Sequence, residues 1–342
     1  MKNSTQAANK EKADAYERLS VQDIIQLAAP QTWVATLLPF LTAISTLYLQ
    51  KANSLANMTL IACLFIACIC LQSAVNTRND YEDYIKGADT LASVPDPFEA
   101  TLLRKNINPA QVSLLSHCFV VIAGICALYP LYKGGLPPLI LGLIGILVVY
   151  TYSSGKLPLS YLPVGELVSG ICMGLLMPLG TALCLNPSLA NNIRELIYLL
   201  IVLVPQVLSI ALIMLTNNAC DREKDILAGR HTLVSSLEQR QVRALYKGIM
   251  LCVLILTYSI PTLTLVGAFP VGNPAEYTSP ETCNLFIIAL LASLFLILPL
   301  FIKLASNPLV PTSRIAAMSQ CSLFYSMTSL STLLLLFIAS TI

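Results

Sequence analysis

Two stretches of this sequence gather carboxylates and amides in an otherwise apolar chain. NTRNDYEDYIKGADT starts at position 76, at the end of an apolar run. Its Asn76, Asn79, Asp80 and Asp83 recur at i, i+3, i+4 and i+7, which puts them on one face of a helix. NNACDREKDILAGRHTL starts at position 217, and Asn217, Asp221 and Asp225 recur at i, i+4 and i+8, again one face. Like charges this close destabilise a helix unless a cation neutralises them. Donor sets made only of oxygen favour a hard cation, and Mg²⁺ is typically held by a few carboxylates together with substrate phosphates. Two such helix ends facing one another would hold Mg²⁺ against a diphosphate, drawing charge onto the leaving group and helping to ionise an allylic carbon. Lys86, Lys156 and Arg230 are the nearby bases that would grip phosphate oxygens. The alternatives are charged loops facing water, or cation binding without catalysis.

The elements that would carry these motifs are long apolar runs. Of the 342 residues, 56% are hydrophobic and 11% charged, where a soluble domain carries roughly a quarter charged residues. A membrane span needs about 20 apolar residues, and nine candidates meet that length: 30–50, 57–77, 110–130, 135–153, 163–185, 195–216, 248–269, 284–303 and 316–340. Seventeen Lys and Arg fall in the tail and in loops 2–3, 4–5, 6–7 and 8–9, against three on the other side. That asymmetry predicts a cytoplasmic N-terminus and an odd number of spans. Both acidic stretches then face the cytoplasm. The expected architecture is an all-α integral membrane protein, with a cytoplasmic tail over 1–28 and a nine-helix domain over 29–342.

Several function classes are disfavoured. A net charge of +2 with no long basic run speaks against nucleic acid. Ionisable groups are nearly absent within the spans, whereas ion or proton pathways place them there. The 11 Cys form no CxxC pair and lie mostly in apolar runs, as small packing residues do. Gly170 and Gly174 form a small-xxx-small face suited to close helix contact. The polar first residues lack the features of a signal peptide, although SVQDIIQL reads as an amphipathic helix. Glu166 opens the fifth span beside the expected pocket, either lining it or stabilising a helix N-terminus.

Taken together, these motifs resemble the UbiA superfamily of intramembrane aromatic prenyltransferases. The resemblance runs through nearly the whole chain. Asn79-Asp80-Tyr81-Glu82-Asp83 looks like the superfamily's first motif, and Asn217, Asp221 and Asp225 look like its second. Tyr152 and Lys156 match a Tyr-xxx-Lys between helices 4 and 5. The pattern from Asn79 to Asp89, with Gly87 where the hydroxybenzoate branch carries a further Asp, is most similar to the branch acting on 1,4-dihydroxy-2-naphthoate. The stretch from Asn217 to Leu233 points the same way.

This resemblance implies nine helices around a central cavity with a cytoplasmic cap. It also implies Mg²⁺, a polyprenyl diphosphate donor, and an aromatic acceptor that loses its carboxylate on prenylation. Asn79, Asp83, Asn217, Asp221 and Asp225 are the implied ligands of Mg²⁺–diphosphate. Lys86, Lys156 and Arg230 would contact phosphate, and Asp80 or Asp89 would orient or deprotonate the acceptor hydroxyl. Where the family usually has an Arg after the first motif, this chain has Glu99 and Ala100 in PFEATLLRKN, so Arg104 and Lys105 are expected to take that Arg's place. The competing functions are a superfamily enzyme with another acceptor, a non-catalytic relative, or a cation transporter.

Overall fold

The computed structural model describes residues 16–50, 57–88, 99–269 and 279–340; Asp89 lies outside them. Among these residues the chain is helical throughout, with no strand. Eight helices are long and apolar enough to cross a membrane, and a ninth span results if a pair bent by 56° is taken as one. The protein is an all-α integral membrane protein.

The bent pair is α1 (Val21–Ala28) with its short 3-10 extension, followed by α2 (Val34–Leu49). Ser20 and Asp23 cap α1 reciprocally, which satisfies amides that a helix start leaves open. Ala29 then turns left-handed at φ 51°, and the chain changes direction there. Residues 16–28 do not hang free. Leu27 is buried with Leu102, Ile107 and Val112, and Asp23 pairs with Lys105.

The first motif needs a helix that outlasts its apolar part, and α3 (Met58–Lys86) supplies it. Its start is capped by Asn57, which accepts from Leu60 N at 3.0 Å. Its end is set by Gly87 at φ 62°, a conformation that costs glycine little. The helix therefore runs nine residues past the expected span, so the whole first motif is helical. The short α4 (Thr101–Arg104) follows, then α5 (Pro109–Gly134), which packs along α3, and α6 (Leu136–Ser153).

The seventh helix, α7 (Gly165–Leu185), contains a π-helical turn at Cys172–Leu176. It is pressed against α8 (Ile193–Cys220). A Cβ at Gly170 would lie 2.6 Å from Val207 O, and one at Gly174 would lie 2.5 Å from Val207 N. The small-xxx-small face is thus where two backbones meet. Beyond α8 come the short α9 (Arg222–Leu227), then α10 (Gln239–Leu265), α11 (Pro280–Ala305) and α12 (Arg314–Ser340).

Burial singles out α8 as the hub. Of its apolar window 56% is buried, against 11% for α11, which leaves α11 to face lipid. Halfway along α8, Gln206 is fully buried and donates to Thr42 Oγ1 (3.1 Å) and Ser329 Oγ (3.2 Å). Its carbonyl oxygen accepts from Tyr325 OH at 2.8 Å. Helices α2, α8 and α12 are therefore cross-linked at this level by a neutral, satisfied amide.

Candidate active site

At the C-terminal end of α3, the motif residues divide by direction. Asn79 and Asp83 turn inward: Asn79 Nδ2 donates to Asp83 Oδ2 at 3.0 Å, and Ser153 Oγ donates to Asn79 Oδ1 at 2.9 Å. Asp80 turns to the other edge, where it accepts from the backbone of Thr101 (2.7 Å) and Leu102 (3.1 Å). It thereby holds the first turn of α4. Asn76 is drawn into docking the first helix pair, donating to Ala28 O (2.9 Å) and Thr32 Oγ1 (2.8 Å). Glu82 lies between Arg78 (3.1 Å) and Lys86 (3.2 Å), a local i, i+4 ladder. Lys86 also donates to Ser153 O.

The second motif approaches from the end of α8. Arg230, three residues beyond the end of α9, joins the two motifs. Its guanidinium pairs with Asp83 and lies 3.7 Å from Asp225. It stacks over Tyr161, 4.7 Å from the ring centre. Two backbone bonds set this geometry: Arg230 N to Asp225 O (2.8 Å) and His231 N to Tyr161 O (2.9 Å). Arg230 Nε is buried and meets no acceptor among the described residues.

The electrostatics follow from this crowding. Asp225 is 3% exposed, and burial pushes its carboxyl up to about 6. Arg230 pulls it back down, while Asp221 and Asp83 push it further up. For Arg230, burial works against its charge, but Asp83, Tyr161 and Asp225 outweigh that and raise its pKa above the ordinary value. The three aspartates therefore share one field although they come from opposite halves of the chain.

A second arginine stands beside the first. Arg314, at the start of α12, binds Glu99 with two bonds (2.8 and 3.1 Å). It also donates to Asn217 Oδ1 (2.7 Å) and pairs with Asp221 at 3.2 Å. Arg104 and Lys105 lie elsewhere: Arg104 Nε donates to Glu99 O at 3.1 Å, and Lys105 pairs with Asp23 of α1. The pairing with Asp23 ties Lys105 to α1, whereas Arg104 reaches the backbone of Glu99, whose carboxylate Arg314 binds. Lys156 is exposed and forms no ion pair among the described residues. Tyr152 lies within electrostatic reach of both Glu166 and Arg230. Glu166 is buried, and its Oε1 accepts from Asn218 Nδ2 at 2.8 Å.

The profile of the UbiA prenyltransferase family matches residues 36–303. The chain belongs to the UbiA prenyltransferase family. It is 30% identical over 219 residues to 1,4-dihydroxy-2-naphthoate octaprenyltransferase of Bacillus subtilis, covering 62% of this chain and 65% of that protein. It is 25% identical over 274 residues to the protein of the same name from Haemophilus influenzae, covering 78% and 81%. Among solved structures, an apo UbiA homolog from Aeropyrum pernix K1 aligns with a TM-score of 0.60 at 14% identity, over 92% of this chain and 98% of that one. A UbiA homolog from Archaeoglobus fulgidus bound to DMAPP and Mg²⁺ aligns with a TM-score of 0.57 at 12% identity, over 92% and 99%. These structural likenesses establish the fold.

Within this UbiA chain the donor set suits a hard cation carried by a phosphate ligand. Among the described residues no three His, Cys, Asp or Glu stand close enough to cage an ion alone. The oxygens are all carboxylate or amide, and two arginines pair with them. Mg²⁺ fits such a site when phosphate oxygens and water complete its shell. Asn79, Asp83, Asn217, Asp221 and Asp225 are the residues that would hold it. A cavity of about 260 Å³ lies away from this cluster, between the ends of α2 and α12. Its lining, Tyr48, Leu49, Leu333 and Phe337 among others, is mostly apolar and carries no charge.

Proposed function

We propose that this protein transfers a polyprenyl group from polyprenyl diphosphate to 1,4-dihydroxy-2-naphthoate, with decarboxylation, releasing demethylmenaquinol and diphosphate. The observation that carries the reading is Arg230 clamped between Asp83 of the first motif and Asp225 of the second. The acceptor is inferred from two naphthoate prenyltransferase relatives.

Mg²⁺, when bound with the donor, would neutralise charge on the departing diphosphate. Everything else is the work of side chains. Arg230 and Arg314 exchange carboxylate partners for phosphate oxygens, and Arg230 Nε already lacks an acceptor. Asp83, Asp221 and Asp225 would then hold the cation. Asn79 and Asn217 supply neutral oxygens that add no repulsion. Lys86, held by Ser153 and Glu82, keeps positive charge at the rim. The allylic carbon then lies at the membrane end of the site, where apolar helices exclude water until the acceptor carbon attacks. The cluster would face the cytoplasm, on the side where 17 of the basic residues collect.

The test supplies membranes carrying the protein with a labelled polyprenyl diphosphate and either 1,4-dihydroxy-2-naphthoate or 4-hydroxybenzoate, with and without Mg²⁺. Labelled naphthoquinol should form only with the naphthoate and only with Mg²⁺. Product from hydroxybenzoate alone would move the assignment to another branch. No product with any acceptor would end the enzymatic reading.

A further inference from the structure

Beside the arginine–carboxylate cluster lies one carboxylate oxygen with no partner. Glu166, in the first turn of α7, is 3% exposed. Its Oε1 is held by Asn218, the neighbour of Asn217. Its Oε2 is shut off from solvent and meets no donor among the described residues. In either protonation state that atom is unmatched: ionised, it lacks a donor, and protonated, its O–H lacks an acceptor. Buried polar atoms are nearly always satisfied, so such an exception calls for a cause.

The surroundings say on which side of the site it stands. Tyr152, at the end of α6, interacts electrostatically with Glu166 and also with Arg230. Tyr161, in the loop that leads into α7, lies under Arg230. Glu166 is therefore a near neighbour of the cluster and forms no ion pair with either arginine among the described residues. The region offers an orphaned donor, Arg230 Nε, and an orphaned acceptor, Glu166 Oε2. Phosphate oxygens accept and suit the first. The second needs a ligand that donates.

We propose that Glu166 Oε2 recognises the aromatic acceptor by taking a hydrogen bond from a ring hydroxyl, with Asn218 fixing the carboxylate through Oε1. The inference rests on the aromatic-acceptor reading above and assigns the residue that reads the hydroxyl. A site built to bind a hydroxyl discriminates strongly against the analogue lacking it, because a buried polar atom is then left alone. The acceptor's own carboxylate must point away from Glu166, since like charges repel, and toward the arginines.

The test is equilibrium binding of 2-naphthoate, 1-hydroxy-2-naphthoate and 4-hydroxy-2-naphthoate to purified protein in lipid nanodiscs. Wild type should favour at least one hydroxylated ligand over 2-naphthoate by about tenfold or more. Glu166→Gln, which replaces the free acceptor by an amide, and Glu166→Asp, which withdraws it, should each bring that ratio to within about threefold. Neither should change the KM for polyprenyl diphosphate more than about twofold. An unchanged hydroxyl ratio in either variant would overturn the proposal, and so would a wild type indifferent to the hydroxyl, whether or not the variants fold. A merely structural Glu166 would weaken all three naphthoates and the donor alike. The prenyl transfer assay on wild type separately judges the enzymatic reading, so the two can fail independently.

Discussion

Two polar regions of this protein differ in what they leave unmet. Around Gln206, halfway along α8, an amide meets Thr42, Ser329 and Tyr325, and none of these side-chain polar atoms lacks a partner. At the end of the same helix, Asp221 and Asp225 meet Asp83, Glu99 and two arginines, and Arg230 Nε and Glu166 Oε2 are orphaned. The first region is neutral and complete. The second is charged, and its cations are the side chains of Arg230 and Arg314. Completeness fastens helices together in lipid, whereas incompleteness is what a ligand can use.

Three substitutions would break or sharpen that contrast. Asp221→Ala should carry the largest effect, lowering prenyl transfer by about two to three orders of magnitude, the usual scale for one charge-stabilising group. Insertion and helicity in membranes should persist, as circular dichroism would show; wild-type rates would remove Asp221 from the site. Gln206→Leu should act on stability instead. It leaves Tyr325 OH without its acceptor and should cost roughly 1–3 kcal/mol, seen as a lower thermal midpoint with an unaltered donor KM. A raised KM with no loss of stability would mean that the mid-membrane amide takes part in binding. Lys105→Ala should do least. Its partner Asp23 lies on α1, so stability should fall by less than about 1 kcal/mol. A donor KM raised tenfold by Lys105→Ala would place that residue in the diphosphate site.

The spans were legible because a bilayer fixes their length, and each run of about 20 apolar residues corresponds to a helix. The meeting of the two motifs was legible from spacing and from the side on which bases collect. Spacing could not tell which neighbours would claim each acid. Asp80 shares a face with Asp83 in sequence, yet the start of α4 arrives on its edge and takes both its oxygens. Arg314 was missed because it lies 97 residues from Asn217 and 215 from Glu99. Its one trace in the sequence is a charge in the first turn of an apolar helix, on the same side as the acids. The docking of α1 showed only as amphipathic spacing in SVQDIIQL, since its partners Leu102 and Ile107 lie some 80 residues on.

The π turn at Cys172–Leu176 has a consequence for phase. A wider turn takes up an extra residue within an otherwise α-helical rod. Removing one residue there would restore regular winding but rotate everything upstream by about 100° and shift it by about 1.5 Å. Gly170 would leave its place against Val207, and Glu166 would swing away from Asn218. The two halves of α7 are thus set at angles that a uniform helix cannot supply together. The second half, through Leu183 and Leu185, packs into the hydrophobic cluster with Phe40 and Leu47, and the first half brings the Glu166 carboxylate to Asn218 beside the two motifs.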